Sequence, residues 1–360
     1  RQNYAQDLQI SIRGFGSRAT FGVRGVRLYA DGIPLTMPDG QGQAANIDLM
    51  TAKSIEVLRG PFSALYGNSS GGVISAYTED GPRDFTVNPY FAIGSYDTTR
   101  YGVKLGGTQG IVNFTFNMSR FDSQGYRDWS AVTRDTANAK LTITPDEYSK
   151  YTLVMNYLMQ PDTQDPQGIT RIQYDQNPTQ VGVVSGSLTS RDFRVRKSID
   201  NMQAGLVYDR RLSANDSIRA LVYAGDRQVT QYLGLTAGAQ SAPRSNGGVI
   251  DLDRQFAGVD LRWSHKNEIA AMPLTVTVGL NYDQQEEARK GFENFVGSTL
   301  GVAGNLRRNE TNKVSNFDQY VQGELGITDK LSASAGLRRS SVRFSSRDSY
   351  IVTGNPDDSG

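Results

Sequence analysis

From Phe85 onward, apolar and polar side chains alternate with a period close to two. Val112, Phe114, Phe116 and Met118 fall on one side of their segment, with Asn113, Thr115, Asn117 and Ser119 on the other. Leu274, Val276, Val278, Leu280 and Tyr282 oppose Thr275, Thr277, Gly279, Asn281 and Asp283, and Leu331, Ala333, Ala335 and Leu337 repeat the pattern. Successive side chains of a strand point to opposite faces, so this spacing demands β-strands with one apolar and one polar face. It predicts about eleven strands of roughly 9–12 residues, the length of a tilted strand crossing a bilayer. The segment around Ile218 breaks the rule, because Leu221 and Tyr223 sit on the otherwise polar face.

The connections alternate too. Short ones are expected near Gly107–Gly110, Pro145–Ser149, Ser213–Asp216 and Thr328–Lys330. Long ones are expected near Asp122–Thr133, Gln160–Ser198, Gln228–Ile250 and Glu286–Asn312. Antiparallel neighbours send alternate connections to opposite rims, so all short turns share one end and all long loops the other. Outer-membrane barrels have this asymmetry; a soluble β-sandwich, the alternative, has shorter strands and loops of mixed length. The mean hydropathy of −0.47 does not argue against a membrane. It leaves no stretch near the roughly 18 apolar residues of a spanning helix, but alternation keeps a barrel's mean low.

Lys and Arg number 38 against 37 Asp and Glu, so net charge gives no pull toward nucleic acid. Cysteine is absent, which removes disulfides, thiolate metal sites and thiol nucleophiles. The one histidine, His265, reads as lying in or beside a short turn, without metal-ligand spacing around it. No catalytic arrangement and no cofactor fingerprint emerge. GPFSALYGNSSGG lacks the Lys-Ser/Thr ending of a phosphate loop, and GFGSRATFG lacks a flanking βαβ unit. Neither end reads as a natural terminus, and no signal peptide is present, so the chain is expected to be a fragment.

Residues 1–84 differ from the rest. They are dense in turns, with a hairpin signal at Asp31–Gly32 and a short helix expected after a cap at Asn46 or Asp48, leading into SIEVLRG. Gly60, Pro61, Gly67, Gly71 and Gly72 read as backbone formers. The division predicts a small α+β domain over 1–84 and an antiparallel meander over 85–360.

SIRGFG (Ser11–Gly16), VRLYADGIP (Val26–Pro34) and SIEVLRGPFSALYGNSSGGVI (Ser54–Ile74) resemble the plug signature of TonB-dependent outer-membrane receptors. The resemblance implies an α+β plug followed by an antiparallel transmembrane β-barrel, of which residues 85–360 would be the N-terminal half of about 22 strands. It implies an importer in the outer membrane of a Gram-negative bacterium, not an enzyme, with lipid around it and TonB as partner through a box upstream. Within the family, RQNYAQDLQISIRGFGSR and GVRLYADGIPLTMPDGQGQ are most similar to receptors of pyrroloquinoline quinone. GYRDWS, GGVIDL, ARKGFENF and GNPDDSG point the same way. A ferric siderophore, the family's commonest cargo, is the alternative.

The resemblance also assigns residues. Arg13 and Arg59 match positions that lock the plug to barrel glutamates, which would lie beyond Gly360; Glu56 is a local counter-ion candidate. Ligand contacts are expected from two plug apices, Ser17–Phe21 and Thr36–Gln41, which hold Arg18, Thr20, Phe21, Met37, Asp39 and Gln41. The long loops offer Tyr126, Arg127, Trp129, Arg171 and Tyr174, with Arg24, Arg194, Arg196 and Tyr232 as further stock. Pyrroloquinoline quinone is a planar anion with three carboxylates, and guanidinium forks and aromatic faces suit it. The plainer reading of each loop arginine is a solvated surface charge. An apolar band of Val112, Phe114, Phe116, Met118, Leu153, Met155, Leu274, Val276, Val278, Leu280, Leu331 and Leu337 should face lipid. Asn113, Thr115, Asn117, Thr275 and Thr277 should line the lumen, and the sheet should remain open.

Overall fold

The computed structural model describes residues 3–19, 22–59, 63–67 and 69–360. Its first part is built on a four-stranded sheet of β1 (Val26–Ala30), β2 (Ile33–Pro34), β3 (Ala52–Arg59) and β4 (Gly72–Thr78), in the order β2-β1-β4-β3. Asp31 and Gly32 both take positive φ, 51° and 85°, and turn β1 into β2 in two residues. That is the geometry a two-residue hairpin prefers. Val23, Val26, Leu28, Ala30 and Leu35 form a core under this sheet.

The helix expected after Asn46 or Asp48 does not form. A single 3-10 turn, Ala44–Asn46, stands before it, with Gln43 at its cap position. The Asp48 carboxylate instead accepts from the Met50 N–H at 3.0 Å and from the Thr51 hydroxyl at 3.2 Å. Asp side chains that bond their own backbone in this way compete with a helix.

The second part is one eleven-stranded antiparallel sheet in which each strand pairs with its neighbours in the chain. Its strands are β5 (Thr86–Gly94), β6 (Thr98–Gln109), β7 (Val112–Ser123), β8 (Val132–Ile143), β9 (Ser149–Gln164) and β10 (Arg196–Arg211). The remainder are β11 (Asp216–Tyr232), β12 (Val249–Ile269), β13 (Met272–Phe292), β14 (Leu306–Thr328) and β15 (Leu331–Asp348). Among the described residues β5 and β15 do not pair with each other, so the wall is open. Several strands are far longer than expected, up to the 23 residues of β14. They absorb the ends of the presumed loops because alternation continues there with polar residues on both faces, as in Glu286–Lys290.

The connections sort as alternation requires. Residues 110–111, 144–148, 212–215, 270–271 and 329–330 turn at one rim, and 124–131, 165–195, 233–248 and 293–305 at the other, which also carries one short turn, 95–97, against the expectation that all short turns share one end. The turn at Ala270 and Ala271, with φ of 52° and 61°, uses no glycine or asparagine and gave no signal in the sequence. His265 therefore lies in β12 and not in a turn, 2.9 Å from the Asp216 carboxylate.

Met118, Met155, Val278, Leu280, Leu331 and Leu337 are exposed on the outer face. Thr115 and Asn117 are buried on the inner one. Asn113, Thr115 and Asn117 bond Gly81, Glu79 and Asp48 of the first part. The polar face is thus the lumen, and the described residues of the first part fill it. The exception at Leu221 and Tyr223 now has a cause. Both point inward and, with Val154, Val207 and Phe256, bury Ile33 and Met37 of the plug.

Candidate functional site

Residues 36–42 form a tight loop: the Met37 N–H donates to the Gln41 carbonyl at 3.0 Å, and the Gly40 N–H donates to that of Met37 at 2.9 Å. Gly40 takes φ 83°, a conformation that disfavours a side chain. The Asp39 carboxylate accepts from the Gln41 N–H at 2.9 Å and lies 3.8 Å from Arg24. Gln41 is buried, and its side-chain oxygen accepts from Arg254 of the wall at 2.5 Å. The loop thus points toward the long-loop rim and is fastened there by one arginine.

Arg254 belongs to a row that crosses five strands in register: Asn201, Arg227, Arg254, Glu287 and Asn312, all on inner positions. Glu287 forms a short ion pair with Arg254 and accepts from Asn312 at 3.1 Å. Arg227 is only 2% exposed, and its guanidinium has a single hydrogen bond among the described residues, 3.3 Å to the Asn201 amide oxygen. Nearer the rim, Arg289 faces Glu310 in register, and Arg308 pairs closely with that same glutamate. On the β10 side, Lys197 donates to Asp7 at 3.0 Å. Burial pushes the Asp7 carboxyl up, but Lys197, Arg227 and the Gly22 N–H outweigh it and hold Asp7 below the usual carboxylate range.

The sequence-derived candidates scatter around this wall. Arg18 is exposed. Thr20, Phe21, Gly60 and Pro61 lie outside the described residues. Met37 is committed to the apolar contact with the wall. Tyr126 packs edge-on to Tyr96, with ring centroids 5.6 Å apart. Arg127 is buried, and its guanidinium donates to the Gln167 and Gln180 carbonyls of the 165–195 loop at 2.5 and 2.6 Å. Trp129 donates from Nε1 to the Val195 carbonyl at 2.8 Å. Arg127 and Trp129 therefore staple two loops together. Arg171 and Tyr174 are exposed on a one-turn helix, with Arg171 paired to Asp175 at 3.0 Å.

Arg13, Glu56 and Arg59 are exposed and form no ion pair with one another. Other residues fasten plug to wall: Lys140 to the Thr78 carbonyl and Asp80, both 2.8 Å, and Gln203 to the Pro34 carbonyl at 2.7 Å. Arg338 reaches the Ala64 carbonyl at 3.0 Å. Sequence reasoning missed Arg227, Arg254, Arg289 and Arg308. Their signal was parity, since each falls on the inner positions of its strand.

A family model described as the TonB-dependent Receptor Plug Domain matches residues 1–73. The pesticin receptors of Yersinia enterocolitica and Yersinia pestis are 31% identical over 152 residues, 38% of this chain and 21% of theirs. Among solved structures, the unliganded ferric citrate transporter FecA aligns with a TM-score of 0.77 at 19% identity, covering 100% of this chain and 53% of its own. The ferric-catecholate import receptor Fiu from E. coli K12, in its closed form, gives 0.69 at 15% identity, covering 96% and 51%. The ferric yersiniabactin uptake receptor FyuA from Yersinia pestis gives 0.64 at 17%, covering 93% and 51%. The chain spans about half the length of these solved relatives.

Proposed function

Because this chain carries the plug domain of the TonB-dependent outer-membrane receptors inside part of their barrel wall, we propose that it binds a scarce anionic solute and takes part in its TonB-coupled import. Its place is the outer membrane of a Gram-negative bacterium. We divide it after residue 84, plug before and wall after.

The observation that carries the reading is the plug loop at Asp39–Gln41, seated under the long-loop rim against Arg254. Arg289 on β13 and Arg308 on β14 stand above it on the wall, on the rim side of Glu287 and Asn312. An anion entering from outside meets Arg18 and Arg171 first, then this wall, inside a vestibule that limits screening. Arg13 and Arg59 are proposed as plug anchors, available to carboxylates of further wall strands, with Glu56 as a local counter-ion. Arg127 and Trp129 shape the loops without touching ligand.

Pyrroloquinoline quinone fits as cargo through its three carboxylates and flat ring. A ferric siderophore is the second reading, and the ferric-chelate receptors among the structural relatives favour it at least as well. Titrating the intact receptor with pyrroloquinoline quinone and with ferric chelates separates the two. Uptake that persists without TonB would sink the transport reading. Replacing Arg18 and Arg171 together by glutamine should weaken binding of the anionic ligand and flatten its salt dependence.

A further inference from the structure

Deeper in the lumen, on the short-turn side of the apex, a cavity of about 190 Å³ lies between the plug sheet and the wall. Arg27 and Tyr29 of β1 face it from the plug; Arg219, Asp260, Arg262 and Arg338 face it from β11, β12 and β15. Arg262 is eight residues along β12 from Arg254, roughly 26 Å at the rise of a strand.

Two features distinguish this space from a packing fault. The first is its charge: four guanidinium groups line it against the single carboxylate of Asp260. Other carboxylates stand behind the arginines: Arg338 pairs closely with Asp318 and Arg219 with Asp209 at 3.2 Å, while the other two pairings are loose. Arg27 to Asp283 and Arg262 to Asp260 are both 3.6 Å, and neither pair is hydrogen bonded. The second is unmet hydrogen-bonding capacity. Arg27 Nε and Arg338 Nε, both on lining residues, are buried donors without a partner among the described residues, and Asn281 Oδ1 is a buried acceptor without one. The Arg338 side chain is only 9% exposed. Buried donors left unpaired are costly, and the two beside this polar space favour an occupant that accepts hydrogen bonds. A space this size holds roughly six waters, or a small oxyanion with a few waters around it.

We propose that this cavity is an interior anion site that takes a carboxylate or a similar oxyanion. Guanidinium forks match a carboxylate in two-point geometry, and Tyr29 closes one side with a ring that already lies 5.9 Å from Arg27. The cargo's own carboxylate and a free cellular anion share this chemistry. The cavity itself stands independently of the receptor function proposed above; only the role of a resting point for cargo rests on it.

The test uses crystals of the intact protein soaked in sodium bromide, with Arg219→Gln and Arg262→Gln variants beside the wild type. An anomalous peak within about 3.5 Å of the Arg27 and Arg262 guanidinium groups in the wild type is expected. That peak should fade in the variants. Ordered water alone in the wild-type cavity overturns the proposal, whether or not the variants fold. Uptake assigns the source: a several-fold slower rate for Arg262→Gln at unchanged surface affinity makes the occupant the cargo's carboxylate. Unchanged uptake with a bromide peak makes it a free anion, and the site stands. A receptor that binds no cargo at its surface defeats the proposed function and leaves the bromide result intact.

Discussion

Arg227 and Arg254 face each other directly across the β11–β12 ladder, both pointing inward, and they are held in opposite ways. Arg254 has Glu287 and Gln41. Arg227 has one amide oxygen at 3.3 Å and an unpartnered Nε.

Opposite signs should follow from substituting in the two places. Glu287→Ala removes the carboxylate of Arg254 and leaves two adjacent buried guanidinium groups without one, which should cost about 3–5 kcal/mol. Arg227→Met removes a buried charge that lacks a close counter-ion, and should be neutral or stabilising by about 1–2 kcal/mol. Unfolding midpoints in detergent check both. A large loss for Arg227→Met would mean that the through-space attraction of Asp7 and Asp39 holds it well enough.

The parity of β11 makes a second contrast. Leu221→Ala opens a hole against Ile33 and Met37 and should cost about 2–4 kcal/mol in detergent or lipid alike. Its neighbour Val222 is half exposed on the outer face. Val222→Arg should hardly change stability in detergent, yet destabilise the protein in vesicles by up to about 2–4 kcal/mol. Equal effects in both media would place the outer face in water.

Arg127 provides a test of loop architecture. Arg127→Ala frees the carbonyls of Gln167 and Gln180, so hydrogen exchange and protease cleavage across 165–195 should rise. Arg127→Lys should rescue little, since one ammonium cannot replace a planar fork bridging carbonyls from two parts of a loop. Unchanged protection in both variants would return Arg127 to the list of ligand contacts.

The Asp7–Lys197 contact predicts a pH effect. Because the folded Asp7 titrates below its unfolded value, its contribution is fully present above about pH 4. It is lost as pH falls through the lower, folded value. Protection of the Gly22 amide, which donates to Asp7 at 3.2 Å, should decline over that range. Asp7→Asn should make the profile flat.

How much of this was legible depended on whether a feature is periodic. The faces of β7 and β13 could be read because side-chain direction repeats every two residues. The anomaly at Leu221 and Tyr223 was visible for the same reason, although its cause needed Ile33 and Met37 beside it. Burial of Arg127 could not be read, because nothing local distinguishes a loop arginine that caps carbonyls from one in solvent. The Ala270–Ala271 turn was invisible because its positive φ is imposed by the long β12–β13 ladder and not by residue type. At Asp48, the capping residue was recognised but its alternative use was not, since the same carboxylate serves a helix start or a local turn equally well.

The unequal reach of the contacts sets an order of assembly. Every ladder of the wall joins strands that follow one another, so the wall can grow hairpin by hairpin from short-range encounters. The plug cannot. Its Pro38 carbonyl waits for Asn316, 278 residues later, and its Ala64 carbonyl for Arg338, 274 later. We therefore predict that, during refolding, proteases cut residues 31–80 until β14 and β15 have paired; early protection of that segment would refute this. The part made before the wall is then the last to become rigid, and the nascent protein spends its slowest interval with paired wall strands around an unsettled centre.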